Sequence, residues 1–348
     1  IYLYRSLAAF GGVERIFIDK ANYLAEHYGY HVYIITWEQG GHSIVYPLSP
    51  KVTHVDWGIL FYRQYQYGLF KRMFMQWKME KEFFKKLSNF VHTTQADIVI
   101  GASCEFTTMA GMDLLQRKTH TILETHSMRT SIEKNNPPAG NLLMRWAFKR
   151  RDKQLHQYIK HMSAFVTLTH NDAKDWSDIT PQARIIPNML HRYPAEISPD
   201  KKTQKRIITA GRLVEQKGYD LLLDAWSKVH QKHPEWILDI YGEGEDKTML
   251  LEKRKNLALE NSVLFHPPTL DIYQKYMDSD FYVMSSRFEG FGLVLAEAMS
   301  CGIPCVSFDC PHGPSDIIKD YEDGLLVEKE NIKELADKIC YLIENENV

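Results

Sequence analysis

Apolar residues along this chain gather into short, nearly unbroken runs rather than into strict alternation. In the first half they are HVYIITW from His31, ADIVIGAS from Ala96, HTILETH from His120 and SAFVTLTH from Ser163. The second half repeats the theme with RIITAGRL from Arg206, WILDIYGEG from Trp236, SVLFHPP from Ser262, DFYVMSS from Asp280 and IPCVSFD from Ile303. Longer helix-period segments separate the runs, so the pattern predicts parallel strands covered by helices on both faces. The expectation is an α/β fold built twice. Between the halves, Ile186 to Arg206 carries three prolines and little periodicity and reads as a linker. With the boundary near Asn188, the expected domains are 1–187 and 188–348.

Length and composition agree with two ordinary globular domains: 348 residues, 44% hydrophobic and 25% charged, with no low-complexity tract. The five cysteines are odd in number and form no C-x-x-C pair, which argues against a disulfide framework or a zinc site. A reducing, cytoplasmic compartment is the simpler expectation. No run approaches 18 apolar residues and no signal-peptide pattern is present, although Ile1 reads as the middle of a strand.

The chemistry gathers where runs end. After DFYVMSS comes RFEGFGLVLAEAMSCG, a strand, a glycine turn and a helix beginning near Gly292 and stopped by Gly302. The unpartnered first-turn amides of such a helix suit an anionic oxygen, so Gly290, Phe291, Gly292 and Leu293 are candidate phosphate contacts. Glu289 and Glu297, eight positions apart, suit hydrogen bonding to vicinal hydroxyls. The bland alternative makes Glu289 a helix cap and Glu297 a solvated face residue. A second strand end, AGRLVEQKGYD, carries Arg212 and Lys217, two cations placed to neutralise a diphosphate without a metal, unless they are surface charges flanking a loop. Gly11 and Gly12 open a helix after the first strand, and His126 follows HTILET; a tight turn and a structural histidine are the plainer readings.

Taken together, Arg212 and Lys217 in GRLVEQKG, Glu289 and Glu297 in EGFGLVLAE, the Gly11–Gly12 loop and the strand order resemble retaining, nucleotide-sugar-dependent glycosyltransferases of family 4. The resemblance covers essentially the whole chain and is strongest from Ile207 to Val327. It implies the GT-B fold, two Rossmann-like domains with a deep interdomain cleft, the first binding an acceptor and the second a nucleotide-sugar donor. By position it implies that Arg212 and Lys217 meet the donor phosphates, Glu289 the sugar hydroxyls, Glu297 the ribose, and the amides from Phe291 to Leu293 the phosphate and sugar. Gly11 and Gly12 match the loop near the diphosphate and His126 a histidine beside the donor sugar. No cofactor is expected. The sequence departs from the family at His266–Thr269, where HPPT replaces a segment with glycine that frames the base, and in FDCPHGPSDII, a loop that is similar to those of surface-polysaccharide and lipid-linked-oligosaccharide enzymes. A sugar-nucleotide epimerase of the same fold and a non-enzymatic nucleotide-sugar sensor remain open as alternatives.

Two signals carry less. Asp278 to Asp280 spells D-x-D, but it precedes a strand and so lies at the wrong sheet end. Cys301, Cys305 and Cys310 straddle a strand without ligand spacing, so core packing is expected.

The net charge of −2 hides an asymmetry: residues 1–180 carry 22 Lys+Arg against 16 Asp+Glu, a balance of +6 that the remainder offsets with −8. Phe70–Leu87 and Leu142–His161 mix lysines and arginines with aromatic residues. Such segments suit peripheral contact with an anionic membrane at the inner face of the plasma membrane, near a saccharide or lipid-linked saccharide acceptor. The plainer reading is an amphipathic helix packed on its own sheet. Nucleic acid is not expected, since the pI is about 6.8 and no recognition module is present.

Overall fold

The computed structural model describes residues 1–102, 104–115, 119–126, 128–129, 142–194 and 204–345, the side chains of 142–148 excepted. Two units divide it, Ile1–Pro187 and Asn188–Val348. In the first, seven parallel strands lie in the order β3-β2-β1-β4-β5-β6-β7. They are β1 (Tyr2–Leu3), β2 (Val32–Thr36), β3 (Val52–Asp56), β4 (Ile98–Gly101), β5 (His120–Glu124), β6 (Ala164–Thr167) and β7 (Arg184–Ile185). Helices α1 (Gly12–His27), α2 (Leu69–Thr94), α3 (Phe106–Asp113), α4 (Leu142–His161) and α5 (His170–Asp175) connect them.

The second unit repeats the scheme with β8 (Arg206–Ala210), β9 (Ile237–Tyr241), β10 (Val263–His266), β11 (Phe281–Met284), β12 (Cys305–Asp309) and β13 (Leu325–Glu328). Its parallel order is β10-β9-β8-β11-β12-β13. The helices are α6 (Tyr219–Lys232), α7 (Lys247–Asn256), α8 (Ile272–Met277), α9 (Leu293–Ser300), α10 (Pro314–Ile317) and α11 (Ile332–Glu344). Of the expected linker, 195–203 fall outside the described residues, and 188–194 form neither helix nor strand.

Near-continuous apolar runs become strands because both sheet faces are covered. Along β11, Phe281 and Val283 pack into the cluster around Trp226 of α6. Tyr282 and Met284 point the other way, into the cluster around Leu295 of α9. Alternate residues therefore serve opposite cores, and no position is left for a polar side chain.

Strand order positions the site. The chain winds outward from β8 through β9 to β10, then crosses back to lay β11 against the other side of β8. The helices that follow β8 and β11, α6 and α9, pack on opposite faces of the sheet, and such a reversal is where open α/β sheets place a ligand. The first unit has the same reversal between β1 and β4.

Candidate active site

At the end of β8 the chain passes through Gly211 and the exposed Arg212, turns through a single 3-10 turn at Glu215–Lys217, and enters α6 at Gly218. Gly218 has φ +62°, and a Cβ there would lie 2.1 Å from the Ser285 carbonyl oxygen at the end of β11. Only glycine lets these two loops approach so closely. Hydrogen bonds then tie them together: Ser285 Oγ donates to the Lys217 carbonyl (3.0 Å), Gln216 Nε2 to the Phe288 carbonyl (2.9 Å), and Arg287 N to the Gln216 carbonyl (2.8 Å). Arg287 also grips Asp220 of α6 with two bonds of 2.8 and 2.7 Å. Burial pushes the Asp220 carboxyl up, but the Arg287 guanidinium outweighs it and the net direction is downward.

This frame brings Lys217 and Glu289 together. Lys217 Nζ donates to Glu289 Oε1 at 2.6 Å, and Ser286 Oγ donates to the same oxygen at 2.6 Å. Glu289 is only 6% exposed. Both bonds fall on Oε1; among the described residues Oε2 accepts none. The Lys217 stem packs over Gly211, where a Cβ would lie 3.4 Å from Lys217 Cε, so the ammonium sits beside the strand end that carries Arg212. Burial, with the Glu289 carboxylate nearby, pushes the Cys310 thiol up to about 12. It stays neutral.

Glu289 does not cap α9. The N-cap is Gly292 at φ +87°, and no side chain bonds the helix end. Gly290 and Phe291 lead into that cap, and the intrahelical bonds begin with Leu295 N to the Gly292 carbonyl, so the amide of Leu293 opens the helix. Glu297 lies one turn on and is 4% exposed, not solvated. Its charge, after burial itself, raises the hydroxyl of the fully buried Tyr276. A carboxylate is costly to bury, which separates Glu297 from an ordinary surface glutamate.

The loop FDCPHG buttresses this turn. The Pro311 carbonyl accepts from Glu289 N at 3.3 Å, and Gly313, at φ +109°, lies so close that a Cβ would stand 2.1 Å from the Phe291 carbonyl. In HPPT, His266 stacks on Tyr241 (centroids 4.5 Å apart) and meets the buried Asp239 at 2.7 Å, while Arg206 holds the same carboxylate with bonds of 2.8 and 2.6 Å.

Gly11, Gly12 and His126 belong to the first unit. Gly11 is the N-cap of α1 in ordinary extended backbone, and a Cβ there would meet the Glu14 carboxylate at 2.1 Å. His126 follows β5, its side chain 3% exposed, with Nε2 3.3 Å from Glu124 Oε2 and its ring edge-on to Phe17 of α1. Lys20 of α1 donates to the same Glu124 oxygen at 2.7 Å. The buried Nδ1 of His126 has no partner among the described residues. Burial pushes the Glu124 carboxyl up; His126 and Lys20 together outweigh it and hold it below its ordinary value of 4.5. A depressed carboxyl contributes stability that is present above the unfolded value and lost as pH falls through the folded one. Glu124→Gln is therefore expected to lower Tm near about pH 7, and the gap from the parent should close as pH falls below 4.5. Differential scanning fluorimetry across pH reads this directly; a gap independent of pH would remove the ion-pair account.

Asp280 of D-x-D accepts from Gln204 N (3.0 Å) and Arg206 N (2.8 Å), pinning the start of β8 at the N-terminal end of the sheet. Cys301, Cys305 and Cys310 are buried and form no disulfide among the described residues.

Known proteins resemble the chain over its whole length. An uncharacterized glycosyltransferase of Haemophilus influenzae is 30% identical over 98% of this chain and 89% of that protein. The family model for group 1 glycosyl transferases matches residues 195–348, the unit that holds Lys217 and Glu289. The chain belongs to the group 1 glycosyltransferases. This glycosyltransferase is also 39% identical, over 46% of its length and 44% of the relative's, to the amylovoran biosynthesis glycosyltransferase AmsD of Erwinia amylovora. Its fold matches the crystal structure of Anabaena HepE in complex with UDP and glucose at a TM-score of 0.73, with 17% identity over 99% of this chain and 89% of that one. Both sheets of the glycosyltransferase thus follow the GT-B architecture.

Sequence reasoning missed Ser286, Tyr219, Glu124 and Lys20. Tyr219, buried and hydrogen-bonded to Thr209, lies against Gly211 and near Glu289, and burial raises its hydroxyl well above the ordinary value. Only a serine three residues before the first glutamate was visible as a local signal.

Proposed function

We propose that this glycosyltransferase is a retaining, family 4 enzyme that moves a hexosyl or N-acetylhexosaminyl group from a UDP-sugar to a hydroxyl of a glycan or lipid-linked saccharide in polysaccharide biosynthesis. The carrying observation is the ion pair of Lys217 and Glu289 at the sheet reversal, beside the N-terminus of α9. The complex of HepE with UDP and glucose supports the donor class, and the amylovoran role of AmsD supports the acceptor class.

In this proposal the bond from the anomeric carbon to the diphosphate oxygen breaks while one to the acceptor oxygen forms on the same face. The acceptor proton passes to the departing phosphate oxygen, so no side chain acts as a separate base. Lys217, Arg212 and the amides at Gly290–Leu293 take up the charge that develops on the diphosphate, in place of a divalent metal. Glu289, fixed through Oε1, offers Oε2 to the sugar hydroxyls; Glu297 serves the ribose. Gly11 and Gly12 border the diphosphate, and His126, oriented by Glu124, supports the reacting centre through Nδ1. The first unit takes the acceptor.

Thermal shift in EDTA tests the donor. UDP at about a hundred times its Kd is expected to stabilise the native state by about 2.7 kcal/mol, and GDP to do so less. Stabilisation by no nucleotide, or only when a divalent metal is restored, would overturn the reading.

A further inference from the structure

The helix α2 divides into two parts with different burial. From Met79 onward its apolar residues face inward, and Phe83, Leu87 and Val91 join the core of the first unit. The first two turns behave otherwise. Leu69, Phe70, Met73, Phe74 and Trp77 are all exposed, Phe70 at 87% and Trp77 at 50%. Spacings of i, i+4 and i+8 through Leu69, Met73 and Trp77, with Phe70 and Phe74 alongside, put them on one side of the helix. Phe74 and Trp77 touch, ring centroids 5.9 Å apart. Of Phe70–Leu87, expected as a membrane-facing segment or a packed helix, the part from Met79 onward packs on the core of its own unit and the part before it does not.

Cations lie alongside this apolar stripe, and the two acids of α2, Glu80 and Glu82, come only after it. Residues 69–79 contain Lys71, Arg72 and Lys78 and no acid. Lys78, Lys81 and Lys85 are exposed, and Lys81 Nζ stands 4.0 Å above the Trp77 ring. Lys86 is committed elsewhere, donating to the Trp57 carbonyl and pairing with Glu82 at 3.0 Å. Just before α2, the turn at Phe61–Gln66 presents Tyr62 and Tyr65 to solvent, with Arg72 4.2 Å above the Tyr65 ring.

We propose that the N-terminal two turns of α2, with the preceding tyrosines, form a docking surface for an anionic phospholipid bilayer. Exposed phenylalanines reach into the acyl boundary, Trp and Tyr take the interfacial level, and the lysines meet anionic headgroups. Charge decides against a second copy of this chain: a twofold contact would set these lysines against their own equivalents, and interface cores are depleted in Lys. Among the described residues no helix is long and apolar enough to cross a membrane. The surface lies outside the residues assigned to sugar transfer, and its test is independent of theirs.

Co-sedimentation of the full chain with vesicles provides the experiment. Binding to phosphatidylcholine vesicles containing about half phosphatidylglycerol is expected to exceed binding to pure phosphatidylcholine at least tenfold. Lys78→Glu with Lys81→Glu should remove most of that preference, at about fivefold or more per cation. Phe70→Ser with Phe74→Ser should weaken binding to both compositions while leaving Tm unchanged, because both side chains are already in water. Equal binding to the two compositions, or unaltered binding in both variants, overturns the proposal. So does sedimentation equilibrium in which Phe70→Ser with Phe74→Ser converts a dimer to a monomer without changing vesicle binding.

Discussion

Lys217→Ala is expected to lower kcat for sugar transfer by a hundredfold to a thousandfold, on the order of losing one preorganised charge at a site of developing negative charge. Its ammonium is held 2.6 Å from Glu289 before any ligand arrives, so little reorganisation is left for the reaction itself. Stability should fall as well. Removing the cation leaves Glu289, 6% exposed, with Ser286 still donating to it. For a fully dry pair the loss is about 3–5 kcal/mol; with the Lys217 side chain 14% exposed and Ser286 still in place, roughly 2–3 kcal/mol is expected. The two losses separate in a double variant. Lys217→Met with Glu289→Gln removes both charges and should recover most of the stability and none of the activity. Measuring UDP release with a glycan acceptor alongside Tm reads both. Activity within threefold of the parent in Lys217→Ala would remove the residue from the proposed chemistry, whatever happened to Tm.

The second large effect comes from a residue with no side chain. Gly218→Ala should cost roughly 3–4 kcal/mol and most of the activity. A left-handed conformation costs an L residue about 1–2 kcal/mol, and the remainder comes from overpacking. At φ +62° the new Cβ would stand 2.1 Å from the Ser285 carbonyl oxygen, a backbone atom that cannot swing aside as a side-chain tip can. The loops after β8 and β11 must then part, drawing Lys217 away from Glu289. Gly29 supplies the comparison: φ is +67° there and nothing lies within 4 Å of an added Cβ. Gly29→Ala should therefore cost only the backbone strain, about 1–2 kcal/mol, and leave turnover unchanged. Chemical denaturation of both variants checks this, and equal costs would show that the close approach at Ser285 contributes nothing.

Much of this architecture could be read from local pattern. Burial on both faces writes continuous apolar runs into β2, β4, β5, β6 and β8–β12, because most side chains of such a strand meet a core on one face or the other. β3 and β7 carry weaker marks. β3 lies at the sheet edge and mixes polar with apolar residues, with Thr53 exposed and His54 partly so, and β7 has two residues. The glycine turn at Gly292 was equally legible, since a helix start needs only neighbouring residues to declare itself. The two glutamates were visible as a spacing, but that Glu297 is buried was not.

What lay beyond the one-dimensional pattern was partnership. Lys217 and Glu289 are 72 positions apart, and Lys20 and Glu124 are 104 apart. Lys20 alone is one charge in the middle of α1 and Glu124 one at the end of β5, while Lys217 and Glu289, each a candidate by itself, do not name one another in the sequence. Strand order and parallel register convert them into pairs, because β11 returns to lie against β8 and so delivers Glu289 to the loop that holds Lys217. The same limit applied to α2, where Phe70–Leu87 mixes aromatic residues with lysines throughout while its burial changes at Met79. Hydrophobic periodicity reports that a face will be covered somewhere; which neighbour covers it, or whether any does, depends on where the rest of the chain has been laid down.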